Sequence, residues 1–210
     1  MCFRLLILLL LSLALNAPAQ LRMHGGNNRT ATMKVEALGQ HFLRVNPFKA
    51  DLRTIISNLF ADSAVFIDTT IASTDTSRLY IRGYHSHFNP WRIPLDSVRT
   101  IISEHRKKDS RNPHVEGPER MLLLQMEGIA VGPERIAKLK PLFDSLERDA
   151  TNHFPASYYG KLKKEKVWIG QNVTYYLDSP SPILNITWRK RNTMVASICI
   201  TVYLEMIEPL

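Results

Sequence analysis

His85-Ser86-His87 is the stretch of this chain best spaced for metal chemistry. On a strand, positions i and i+2 point to one face, so both imidazoles could reach one zinc ion. A working site needs a third and usually a fourth ligand, and Asp68 or His114 is a candidate. Neither an HExxH nor a paired-cysteine spacing accompanies the two histidines. Other chemistry has less scaffold. Ser86 has no GxSxG elbow around it, and the nucleotide-binding patterns GxGxxG and GxxxxGKS/T do not occur. Glycoside hydrolysis would need two carboxylates across a cleft. Asp62, Asp68, Asp75, Asp96, Glu116 and Glu127 are available, but their spacing selects no pair. No cofactor is expected.

Three basic runs suggest binding instead of bond-breaking. They are Arg106-Lys107-Lys108, the lysines at 161, 163, 164 and 166, and Arg189-Lys190-Arg191. Each falls in an expected loop or hairpin, where binding groups concentrate. If two runs converge, Arg106, Lys107, Lys108, Lys163, Lys164, Arg189, Lys190 and Arg191 supply an anion-binding rim. Trp168, Tyr176 and Tyr203 are expected on the outer side of their strands, where they could form an aromatic strip.

The N-terminus says where this chemistry would operate. Arg4 precedes an apolar run from Leu5 to Leu15, followed by Ala17-Pro18-Ala19. This is the layout of a cleavable signal peptide over residues 1–19, with cleavage near Ala19. The apolar run is well short of the roughly 20 residues a membrane helix needs. Removal of the leader leaves only Cys199, so the exported chain has no intrachain disulfide. A disulfide-free exported protein suits a bacterial periplasm or cell surface. The whole chain carries 27 basic against 19 acidic residues, a net charge of +8. That balance favours anionic envelope polymers, lipid surfaces or an acidic partner protein. Export argues against nucleic acid.

The elements that must position these residues follow from periodicity. Residues 20–45, with Gly25-Gly26-Asn27-Asn28, are expected to be a flexible leader. Asn46-Pro47 opens a helix to about Phe60, with Leu52, Ile55, Ile56, Leu59 and Phe60 on one face. Strands are expected at 64–71 and 79–88. Residues 95–105 fit a helix face or a strand, and their β-branched content favours the strand. A buried strand at 120–131 and a helix from Pro133 to about Ala150 follow. Residues 152–166 are expected as a connector where the chain could subdivide. The last part reads as a three-stranded antiparallel meander at 167–177, 183–190 and 194–206. The fold expected is α+β: an antiparallel sheet with two main helices on one face, in the order α-β-β-β-β-α-β-β-β, with 46–210 as a single domain.

Two internal echoes bear on that architecture. RTIIS occurs at 53–57 and again at 99–103, as a duplication would leave it, although the residues between do not align. GPER occurs at 117–120 and 132–135. We read these as brackets around a buried strand at 121–130, with a helix starting near Pro133. The functional expectation is an exported, non-catalytic binding or envelope-accessory protein. The alternatives are a metal-dependent hydrolase using His85 and His87, and a protein–protein interaction subunit.

Overall fold

The structure, a computed structural model, describes residues 20–22, 29–49, 54–55, 57–58, 66–68, 73–74, 77–85, 87–108, 116–154, 156–164, 167–176 and 182–207. The expected signal peptide lies outside these residues. In chain order the elements are β1 (Gln20–Arg22), α1 (Arg29–Leu43), β2 (Phe66–Asp68), β3 (Ser73–Thr74), β4 (Ser77–His85), β5 (Ser97–Lys108) and β6 (Glu116–Val131). They continue with α2 (Pro133–Thr151), β7 (Ala156–Lys164), β8 (Val167–Tyr176), β9 (Pro182–Lys190) and β10 (Val195–Ile207). Among the described residues, ten strands form one antiparallel sheet in the order β2-β4-β5-β6-β10-β9-β8-β7, with β1 on β10 and β3 on β4. The fold is α+β.

Strict alternation divides the sheet into two unlike faces. On β6, Leu122, Leu124, Met126 and Ala130 stand directly opposite Leu204, Val202, Ile200 and Ala196 of β10. These residues are buried and join Ile102, Leu184, Ile186 and Tyr175 in one core with the apolar stripes of both helices. The intervening residues, including Gln125, Glu127, Ser197, Thr201, Asn185 and Thr187, fall on the opposite face. That face is polar.

α2 begins as its sequence requires. Gly132 has φ of 89°, which a β-carbon would strain, and Pro133 takes the first helical turn, where no N–H is needed. Ile136, Leu139, Phe143 and Ala150 form its buried stripe. Lys34 of α1 and Asp149 of α2 form an ion pair between the helices. The second GPER is therefore a helix start. The first lies within β6, not in a loop before it, because β6 continues back to Glu116 and pairs with β5 there.

Several expectations need correction. The leader expected over 20–45 instead contains β1 and α1. Ala31, Val35, Leu38 and Phe42 of α1 are buried. Thr30, Thr32 and Gly39 give this segment weak intrinsic helicity, so burial against the sheet holds it. Of the helix expected from Pro47 to Phe60, the described residues 54, 55, 57 and 58 are helical. The connector expected over 152–166 contains β7, which pairs along its length with β8. The sheet runs through the suggested subdivision. The two RTIIS copies differ in structure: the described residues of the first are helical, whereas the second lies in β5. This removes the main support for duplication.

Asp96 ties the start of β5 to the β6–α2 junction. Its carboxylate accepts the Val131 N–H at 2.7 Å and pairs with Arg135, while its own N–H donates to the Ile129 carbonyl at 2.9 Å. The Arg135 hydrogen bond first, and the Val131 N–H second, hold the Asp96 pKa below the ordinary carboxylate range. A depressed folded-state pKa adds stability above the unfolded value, and that stability is lost as pH falls through the folded value. Asp96→Asn should therefore show a constant stability deficit above about pH 5 that shrinks below about pH 4. Thermal melts of both proteins across that range would show it; a deficit that grows in acid would contradict the assignment.

Candidate functional site

The metal reading depends on one strand carrying both histidines, and β4 ends at His85. His85 stands opposite Val98, on the helix-covered side. Its Nε2 lies 2.8 Å from Thr100 Oγ1, and its ring packs edge-on against Phe88 at 5.5 Å. The adjoining cavity, lined by Phe42, Phe88, Leu124 and Met126, has a volume of about 20 Å3, room for about one water molecule. His87 is exposed in the bend beyond the strand, where i, i+2 alternation no longer applies. The side chains of Asp68 and His114 lie outside the described residues. No cluster of three or more His, Cys, Asp or Glu suited to a metal occurs among the described residues.

The polar sheet face holds a more developed arrangement. Pairing places Tyr84, Arg99, Glu127, Cys199, Thr187 and Asn172 in one row across β4, β5, β6, β10, β9 and β8. Glu127 is in the middle of this row, with its side chain only 4 % exposed. Arg99, 13 % exposed, pairs with it and donates from Nε to Oε2 at 2.7 Å. Arg99 Nη1 also reaches the Tyr84 hydroxyl at 3.3 Å. Burial pushes the Arg99 pKa down, but the Glu127 charge and the Tyr84 hydroxyl more than offset this, leaving it above the usual arginine value. Arg99 therefore remains charged at neutral pH.

Two more arginines approach the other carboxylate oxygen. Arg191 Nη2 lies 3.3 Å from Glu127 Oε1 and Arg189 Nη2 lies 3.8 Å from it. Their side chains are 44 % and 50 % exposed. A tied turn sets their position. Arg191 N–H donates to the Val195 carbonyl at 2.8 Å, and Asn192 Oδ1 accepts the Met194 and Val195 N–H groups at 2.8 Å each. One carboxylate thus faces three guanidinium groups, so the cluster carries two surplus positive charges. Arg99 and Glu127 form its buried base, and Arg189 and Arg191 form its exposed rim.

The neighbouring groups are neutral. The Gln125 amide donates to Thr201 Oγ1 at 3.1 Å. The Asn185 amide donates to Thr174 Oγ1 at 2.8 Å and accepts from Thr187 Oγ1 at 2.6 Å. These bonds engage Asn185, which lies in one of the chain's Asn-x-Thr tripeptides. Burial, reinforced by the Glu127 charge, pushes the Cys199 thiol up to about 12. It therefore stays protonated at neutral pH and is a poor nucleophile. Burial likewise pushes the Tyr203 phenol up to about 12. Tyr203 and Tyr176 of the expected aromatic strip are half-buried, and the side chain of Trp168 lies outside the described residues.

The basic runs separate. Arg189 and Arg191 face Glu127, but Lys190 stands opposite Ala196 and belongs to the helix-covered side. Lys163 and Lys164 on β7 lie next to the Leu162–Gly170–Arg189 row, at the same end of the sheet as Arg189. Arg106 and Lys108 pair with Arg120 and Glu116 at the opposite end of β6, so the 106–108 run is remote from that rim. The side chains of Arg106, Lys107, Lys108, Lys163 and Lys164 lie outside the described residues. The pairing of Arg99 with Glu127 was not anticipated, although Glu127 stood among the available carboxylates. The available signal was a charged residue beside apolar ones in each of two strands, Arg99 after Val98 and Glu127 after Met126, since a charge inside a sheet needs a partner.

Comparison with protein-family models, with curated proteins and with solved structures finds no match. The fold and site define an α+β protein with one face of its sheet covered by helices and the other polar and locally cationic.

Proposed function

We propose that this chain is an exported, non-catalytic binding protein that takes an anionic polymer on the polar face of its sheet. The surplus of arginine over carboxylate around Glu127 carries this reading. Arginine presents a planar, permanently charged fork suited to carboxylate or phosphate groups. With Glu127 satisfied mainly by Arg99, the exposed Arg189 and Arg191 retain hydrogen-bonding capacity for a ligand. Thr187, Ser197 and Asn172 share their face with only isolated apolar side chains such as Ile129 and Val131, which favours a hydrated polymer over a lipid surface.

Export is part of the same proposal. Cleavage near Ala19 would leave Gln20, the first residue of β1, and keep its pairing with Ile207 intact. The destination would be the periplasm or the exterior of the cell.

Titration with long-chain inorganic polyphosphate tests the site. Arg189→Glu/Arg191→Glu should weaken binding about tenfold or more, equivalent to roughly 1.4 kcal/mol. Lys190→Glu, at the same turn but on the other face, should have a clearly smaller effect. Equal losses from both would point to net charge alone and contradict the site. Binding only to vesicles containing phosphatidylglycerol would replace the polymer reading with a lipid one.

A further inference from the structure

We propose that β7 is a self-association edge, through which a second copy of this chain extends the sheet. Among the described residues β7 pairs only with β8, leaving a nine-residue strand at the sheet's edge. Two adjacent tyrosines project from it: Tyr158 is 64 % exposed and Tyr159 is 57 % exposed. The Tyr159 hydroxyl is held by Glu147 at 2.8 Å, which fixes an exposed ring in place. Sheet edges are commonly blunted by lysine, proline or a bulge. Here the lysines at 161, 163 and 164 all lie toward the C-terminal end of the strand, and the irregularity near Leu162 places its extra residue, Ile169, on β8.

The strand is complementary to itself in the register that pairs its full length. Antiparallel pairing of two copies over the whole of β7 is centred on Gly160. It sets Tyr159 opposite Lys161, Tyr158 opposite Leu162, Ser157 opposite Lys163 and Ala156 opposite Lys164. No lysine faces a lysine, and the two inner pairs are aromatic–cation and aromatic–aliphatic, both favourable across strands. Moving the centre to 161 or 162 sets lysine against lysine. The Asn172 side chain fills the space a β-carbon on Gly160 would need, with Oδ1 only 2.2 Å from that position, so Gly160 can place bare backbone at the two-fold axis. An acidic peptide would complement only the C-terminal half of the strand, which favours a second copy as occupant.

This axis is perpendicular to the sheet, so both polar faces remain on one side. Five strand spacings of about 4.8 Å would then separate the two copies of β9, or roughly 24 Å. On the binding reading above, one polymer could span both arginine clusters, although the pairing itself does not depend on that reading.

Analytical ultracentrifugation of the exported chain should show a concentration-dependent dimer. Tyr158→Lys/Leu162→Lys and Tyr158→Glu/Leu162→Glu should each sediment as a monomer, and an equal mixture should recover a heterodimer. If those variants do not fold, mild oxidation provides a second test. Tyr158→Cys/Leu162→Cys should form a covalent dimer, whereas Tyr158→Cys alone should not. A monomeric wild type, unaltered dimerisation of the charged variants, or equal cross-linking of both cysteine variants would overturn the proposal.

Discussion

Replacing Glu127 by alanine should lower stability by about 3–5 kcal/mol, the range for breaking a buried ion pair from one side. Glu127 and Arg99 are both largely withdrawn from solvent, and Arg189 and Arg191 lean on the same carboxylate. Without the carboxylate, Arg99 would keep only the Tyr84 hydroxyl as a described polar partner, and three cations would repel one another. For a chain of this size the loss corresponds to roughly 6–20 °C in melting temperature. A drop below about 1 kcal/mol would mean that the pair is solvated and worth no more than a surface bridge. Glu127→Gln separates stability from binding. It removes the negative charge but keeps the shape, so the protein should be less stable yet bind polyphosphate more tightly. An enzyme using Glu127 as an acid or base would instead lose activity without gaining affinity.

Trp91→Ala should cost about 3–5 kcal/mol, as for other fully buried aromatic truncations. Trp91 is fully buried and comes from the loop between β4 and β5, not from a strand or helix. Its ring packs against Phe42 of α1 at 4.7 Å. On the sheet side it lies over Gly128, where an added β-carbon would be 2.9 Å from Nε1 and 2.6 Å from Leu95 Cδ1. Asn89 holds the loop, accepting the Trp91 N–H at 3.1 Å and donating to the Ile93 carbonyl at 2.7 Å. Removing the indole leaves a cavity beneath α1 that this braced loop cannot readily collapse to fill. Chemical denaturation should show the full loss, and protection of α1 amides from hydrogen exchange should fall with it. A loss below about 1 kcal/mol would show that α1 does not depend on this contact.

Strands buried on one face were legible in the sequence because alternation directly reports a half-buried strand. Met194, Ala196, Ile198, Ile200, Val202 and Leu204 were expected on the inner side of the last strand; those from Ala196 onward are buried, and Met194 lies exposed in the preceding turn. The Pro133 helix start was legible because proline and glycine act locally. α1 was not, since Thr30, Thr32 and Gly39 disguise a helix whose stability comes from tertiary burial. β7 was not, since its edge position leaves lysine and tyrosine exposed, which reads as a loop. The histidine pair was hard to read because two residues of spacing fix no geometry once the strand has ended at His85. The arginine cluster needed register: Arg99 and Glu127 are 28 positions apart and meet only through β5–β6 pairing, while the turn before β10 delivers Arg191.

The central claim, that Arg189 and Arg191 meet an anionic polymer, is tested most directly by the salt dependence of polyphosphate binding. Each cation that displaces a counterion contributes a little under one to the slope of log affinity against log salt. Arg189→Gln/Arg191→Gln should therefore bind with a slope shallower than wild type by about two. An unchanged slope, with affinity also unchanged, would show that the polymer does not touch this face.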